Sequence, residues 1–128
     1  MLHARRGLLG ILLIAASSCV HPGGPAGPNR LVITEEETLS TNAATAYDVI
    51  TRLRAEYLRD RGPTSILLPS RNRPVVFLKE QEYGSIEMLR EVRSSDLEEI
   101  RFYPGPDAVT KFGSRYSGGV IQLVTRSR

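Results

Sequence analysis

From Ala46 onward, apolar residues recur at spacings of three and four through Tyr47, Ile50, Leu53, Tyr57 and Leu58, while Asp48, Arg52, Glu56 and Asp60 fall mostly off that stripe. The spacing predicts an amphipathic helix from Thr41 to Gly62 that covers a sheet, capped by Thr41 or Asn42 and stopped by Gly62 and Pro63. The period then changes. Ser65 to Leu68 predicts a short strand, Pro69 to Pro74 a turn, and Val75-Val76-Phe77-Leu78 a β-branched strand buried on both faces. Gly84 and Ser85 open a second short helix with Ile86, Leu89 and Val92 inward, and Ser95 with Glu98 has the spacing of a capping box for one further turn. Ile100 and Phe102 alternate with Glu99, Arg101 and Tyr103, as in a strand with one wet face that Pro104-Gly105-Pro106 breaks. Asp107 to Phe112 predicts a single helical turn, with Pro106 at its first position and Gly113 past its end. Ser114 to Gly119 reads as a loop whose Gly118 and Gly119 permit positive φ or close backbone contact. Val120 to Thr125 is the last strand. The expected fold is one small α+β domain over 31–128, with a mixed sheet of three to four strands packed by one long and one or two short helices.

The first residues follow a different logic. His3, Arg5 and Arg6 precede a run from Leu8 to Ala16 that is apolar apart from its glycine, and Ala16-Ser17-Ser18 follow, which is the layout of a secretory signal peptide over 1–18. The run is too short to span a bilayer as a permanent helix. Cys19 is the only cysteine, so no internal disulfide can form, and an unpaired cysteine in an exported chain calls for a reason. Ala15-Ala16-Ser17-Ser18-Cys19 resembles the lipobox of bacterial lipoproteins, in which the cysteine is acylated; the alternative is an ordinary signal peptide cut near Ser18. Acyl chains contribute about 0.8 kcal/mol per buried methylene, so several on Cys19 would anchor the chain almost permanently. Val20 after Cys19, in place of aspartate, resembles lipoproteins passed to the outer membrane. Residues 19–30, rich in Pro and Gly, are expected to form a tether.

Charge narrows the function. Removing Arg5 and Arg6 from the 17 basic residues leaves 15 against 14 acidic ones, without the footprint that phosphate-backbone binding requires. No nucleic-acid partner is expected. His21 is the one histidine beyond the signal segment, and no second histidine or cysteine is left to complete a metal site with it. A histidine- or cysteine-based nucleophile is equally excluded. Paired carboxylates among Glu80, Glu82, Glu87, Glu91, Asp96, Glu98, Glu99 and Asp107 lie beside Lys or Arg, as surface charge does. Residues 113–119 lack the lysine and following helix of a P-loop. The expectation is a protein without catalytic residues or cofactor.

A longer pattern runs through Asp96-Leu97-Glu98-Glu99-Ile100-Arg101-Phe102-Tyr103, then Gly105-Pro106-Asp107-Ala108, Phe112-Gly113-Ser114 and Gly118-Gly119-Val120-Ile121. In order and spacing, Pro74 to Arg126 resembles the second half of the plug domain of TonB-dependent outer-membrane receptors; Ile33 to Glu37 and the helix ending near Leu58 resemble its first half more weakly. The resemblance implies a plug-like fold and an envelope protein partner such as a barrel. The sequence departs from that family in stopping at Arg128, where receptors continue into a barrel, and in Leu31-Val32-Ile33-Thr34, which only faintly echoes the TonB-pairing motif. A plug-like module without its own pore is expected. Gly105, Pro106, Gly113, Gly118 and Gly119 read as structural turns. Asp107, Lys111, Arg115 and Tyr116 are the candidate binding residues, forming a mixed-charge loop surface for a protein or, alternatively, a small molecule or glycan.

Overall fold

The computed structural model describes residues 29–60 and 73–127. The signal segment, Cys19, the tether up to Pro28 and the expected strand Ser65–Leu68 lie outside the described residues.

Five strands, β1 (Val32–Thr34), β2 (Val75–Leu78), β3 (Gln81–Gly84), β4 (Leu97–Tyr103) and β5 (Val120–Thr125), form one sheet in the order β1-β4-β5-β2-β3. β5 pairs antiparallel with β4 and parallel with β2, while β1 and β3 add antiparallel edges. The sheet is thus mixed, within an α+β fold as expected, and has two more edges than the apolar pattern indicated. β1 is only three residues long, and β3 reads Gln-Glu-Tyr-Gly, so neither gives a periodic apolar signal.

One sheet face carries Ile33, Val76, Leu97, Ile100, Phe102, Ile121 and Leu123, all buried. They form the main core with Ala46, Val49 and Ile50 of helix α2 (Ala46–Leu53) and with Leu89. The long helix expected from Thr41 to Gly62 is corrected. α2 starts at the Thr45 cap, whose hydroxyl accepts from Asp48 N–H, and stops where Arg54 leaves helical geometry at φ −148° and ψ 55°. A separate 3-10 turn, Ala55–Leu58, then swings Tyr57 into the core. The apolar stripe is real, but a break lets it bury two differently directed segments. The second short helix is a 3-10 turn, Ile86–Arg90. The capping box expected from Ser95 and Glu98 is replaced by a 3-10 turn, Ser94–Asp96, whose cap makes no side-chain hydrogen bond. Ser94 Oγ instead donates to the Ala43 carbonyl.

A helix without an apolar stripe, α1 (Glu35–Ser40), follows β1 directly. Thr34 and Glu37 form a reciprocal capping box, and Glu35, Glu36 and Glu37 sit where the helix dipole favours negative charge. This cap also closes the sheet edge. Thr34 N–H donates to Glu37 Oε2 at 3.0 Å and Val32 N–H to the Asn29 carbonyl at 2.9 Å, so neither donor is left for an incoming strand.

Helix α3 (Gly105–Phe112) begins before Asp107, with Pro106 in its first turn and Gly113 at its end at φ 111°. Gly105 packs so closely on the Ser117 carbonyl that a Cβ would overlap its oxygen. Gly119, at φ 102°, faces the Tyr103 carbonyl and the Phe102 ring, and Gly118 beside it is buried. Gly105→Ala is expected to lower unfolding free energy by about 1–3 kcal/mol, the usual range for overpacking, measured by urea denaturation.

Tyr57 stacks on Phe102 with ring centroids 4.5 Å apart, and its hydroxyl donates to the Arg30 carbonyl. Burial pushes its phenol from 10.0 up to about 12, against the pull of nearby Arg54. The stabilisation this represents is complete below pH 10, where both states hold the proton. It is lost as pH rises from 10 towards 12, because the unfolded chain ionises first. Tyr116, raised chiefly by its hydrogen bond to Glu82, acts in the same direction. Urea midpoints measured across this range should fall with pH, and Tyr57→Phe should make the fall shallower.

Candidate functional site

The second sheet face is covered by α3 and the 3-10 turn after it, Ser114–Tyr116. Val75, Phe77 and Val120 from the sheet meet Ala108 and Tyr116, with Tyr103 and Phe112 packed against them. Phe77 lies 4.7 Å from Phe112 and 5.3 Å from Tyr116, centroid to centroid, and Tyr103 lies 5.2 Å edge-on from Phe112. These are favourable aromatic separations, and they fix α3 on the sheet.

Two cations stand on these rings. Lys111 Nζ is 4.3 Å from the Tyr103 centroid and 5.1 Å from that of Phe112, while the Arg115 guanidinium is 4.9 Å from the Tyr116 centroid. Lys111 also heads a polar chain across the sheet. Its ammonium donates to Tyr103 Oη at 2.6 Å, Tyr103 donates to Gln122 Oε1 at 3.1 Å, and Gln122 Nε2 donates to the Lys79 carbonyl at 2.7 Å and to Glu80 Oε1 at 3.1 Å. Gln122 is only 3% exposed. Its buried amide therefore finds partners for both its oxygen and its nitrogen.

The four sequence-predicted binding residues fall into two groups. Asp107 and Lys111 line a cavity of about 440 Å³ with Asn29, Leu31, Arg101 and Tyr103. Arg101 there is paired with Glu99 through two hydrogen bonds, which hold its guanidinium firmly charged. Arg115 and Tyr116 instead both donate to Glu82 on β3, Tyr116 at 2.7 Å. Glu82 lines a different cavity of about 630 Å³ with Asp60, Arg73, Ser85, Ile86 and Glu87. There Arg73 lies 3.7 Å from Asp60 and 3.8 Å from Glu87, and Ser85 hydrogen bonding keeps the Glu87 carboxyl below its usual range. Tyr116, 8% exposed, is thus a packing residue that orients Glu82 rather than an open contact, which corrects its expected place on the loop surface.

Tyr103, Gln122 and Leu31 complete these arrangements and were not among the candidate site residues read from the sequence, and Glu82, which joins them, was weighed only among the carboxylates read as surface charge. Gln122 had a signal, as a lone amide inside a run of Val, Ile and Leu; Glu82 had none, because β3 is polar throughout. Among the described residues, no group of three or more His, Cys, Asp or Glu could hold a metal ion, and no helix is long and apolar enough to cross a membrane.

No protein-family model, curated protein or solved structure matches this chain. Gln122→Leu is expected to cost about 1–3 kcal/mol in urea denaturation, because it leaves the Tyr103 hydroxyl and the Lys79 carbonyl short of a partner.

Proposed function

We propose that this protein is a non-enzymatic lipoprotein of the outer membrane, anchored through Cys19, whose plug-like domain binds an envelope protein, with a barrel of the TonB-dependent class as the favoured partner. The observation that carries this reading is the layer formed by α3 and the following turn. Two exposed cations, Lys111 and Arg115, are held on aromatic rings that are themselves locked to the sheet. Arginine is enriched where binding energy concentrates at protein interfaces, and side chains already ordered lose little entropy on docking. Since α1 and the Asn29 turn occupy the outward donors of β1, docking through this layer is favoured over strand addition at that edge.

A second reading has one observation behind it. The cavity of about 440 Å³ at Asp107 and Lys111 has the size of a small-molecule site, which suits a small molecule or glycan collected at the envelope.

The test is affinity purification of the lipidated protein from gently solubilised membranes, beside Cys19→Ala and a Lys111→Glu/Arg115→Glu double variant. A transmembrane barrel should co-elute with the lipidated chain and be lost from both controls. If the lipidated protein elutes alone, the protein-partner reading fails, and heat on titration with envelope glycans would favour the cavity instead.

A further inference from the structure

Most charges around the α3 layer are already matched, Arg101 by Glu99 and Arg115 by Glu82. Two are left over. All 14 carboxylate side chains of the chain lie among the described residues, yet none pairs with the Lys111 ammonium, and the Asp107 carboxylate takes part in no ion pair or hydrogen bond among the described residues. Both side chains are exposed. Both line the cavity of about 440 Å³, where the one other charged residue is the already matched Arg101.

The two charges are held apart although the helix sets them together. Asp107 and Lys111 stand four residues apart on α3, which places their Cβ atoms about 6 Å from one another, the spacing at which an acidic and a basic side chain ordinarily pair. Lys111 is drawn elsewhere. Its ammonium rests on the rings of Tyr103 and Phe112 and donates to Tyr103 Oη at 2.6 Å. That hydroxyl has its own hydrogen committed to Gln122, so it turns only lone pairs towards Lys111. One ammonium donor of three is used, and the rest face outward beside an unoccupied carboxylate.

We propose that the envelope protein docking on this layer is recognised as an opposed pair of charges: an aspartate or glutamate of the partner meets Lys111, and a lysine or arginine beside it on the same partner element meets Asp107. This rests on the docking reading above and specifies the surface the partner must bring. A partner surface of one sign is a poor fit, since whichever charge it satisfies, it sets a like charge against the other only one helical turn away. An opposed pair is attracted at both points. Leu31, Val32 and Phe102, which line the same cavity, give the contact an apolar border that limits screening by water. Because Asp107 precedes Lys111 along α3, the pair is read in one direction only, which fixes the orientation of the partner.

The test uses the full lipidated chain from gently solubilised membranes, with the barrel recovered per mole of bait measured by quantitative mass spectrometry. Asp107→Asn removes a charge with little change of shape. It should lower recovery about fivefold at low salt, as should Lys111→Gln, and Asp107→Glu should restore it. The reversed pair, Asp107→Lys with Lys111→Asp, keeps the net charge and should lose the barrel almost completely. Its charges oppose the α3 dipole, so urea midpoints are measured for every variant, and the two neutral variants decide if the reversed pair does not fold. Recovery that is unchanged with either neutral variant, or raised by Asp107→Asn as a purely acidic partner would require, overturns the opposed pair while the docking reading stands. A folded reversed pair that still holds the barrel does the same. A wild-type chain that elutes alone overturns both.

Discussion

β5 is hydrogen-bonded along both edges and buried on both faces, with Val120, Ile121, Gln122 and Leu123 all removed from solvent. A strand in that position needs a layer on each side, because exposure of either would return a row of large side chains to water. α2 and Tyr57 supply one layer and α3 the other. Placing α3 in turn fixes Gly105 against Ser117, Gly113 at its end and Gly119 against Tyr103. The aromatic cluster, the cations stacked on it and the pairing of Arg115 and Tyr116 with Glu82 all follow from closing that second side.

Within this arrangement one polar side chain is tolerated at the centre. Gln122 would be costly if its amide lacked partners, yet both its oxygen and its nitrogen are used. Through it the Lys79–Glu80 turn between β2 and β3 is tied to Tyr103 and Lys111 on the opposite side of β5. The two cavities lie on opposite sides of β5, one against β2 and β3 and the other against β1 and β4. Strand pairing and side-chain hydrogen bonds fix their walls in the same piece of sheet.

Much of the fold was legible in the sequence where one physical signal dominated. Val75–Leu78 is apolar throughout and Val120–Val124 apolar but for Gln122 because both faces are largely buried, and the alternation at Ile100 and Phe102 reports one buried face. What escaped lacked such a signal. β3 is an edge with two exposed residues, and α1 owes its start to a capping box rather than to an apolar stripe. The break after Leu53 was hidden because Leu53, Tyr57 and Leu58 keep helical spacing across it; only the backbone at Arg54 reveals that the stripe turns. Site residues behaved alike. Lys111 stood out as an exposed charge, whereas Glu82 matters only because the parallel pairing of β2 with β5 brings distant chain segments together.

That pairing also governs when the domain can exist. β2 and β4 share no neighbour until β5 inserts between them, and β5 is the last of the five strands to be made. Contacts between segments so far apart in sequence form late, after the cost of closing the intervening chain has been met. An emerging polypeptide therefore holds only fragments of local structure: a capped turn, a short helix, one hairpin. Were the chain exported unfolded, as the proposed function requires, this delay would keep it narrow enough to pass a translocation channel, and the completed sheet would then oppose its return.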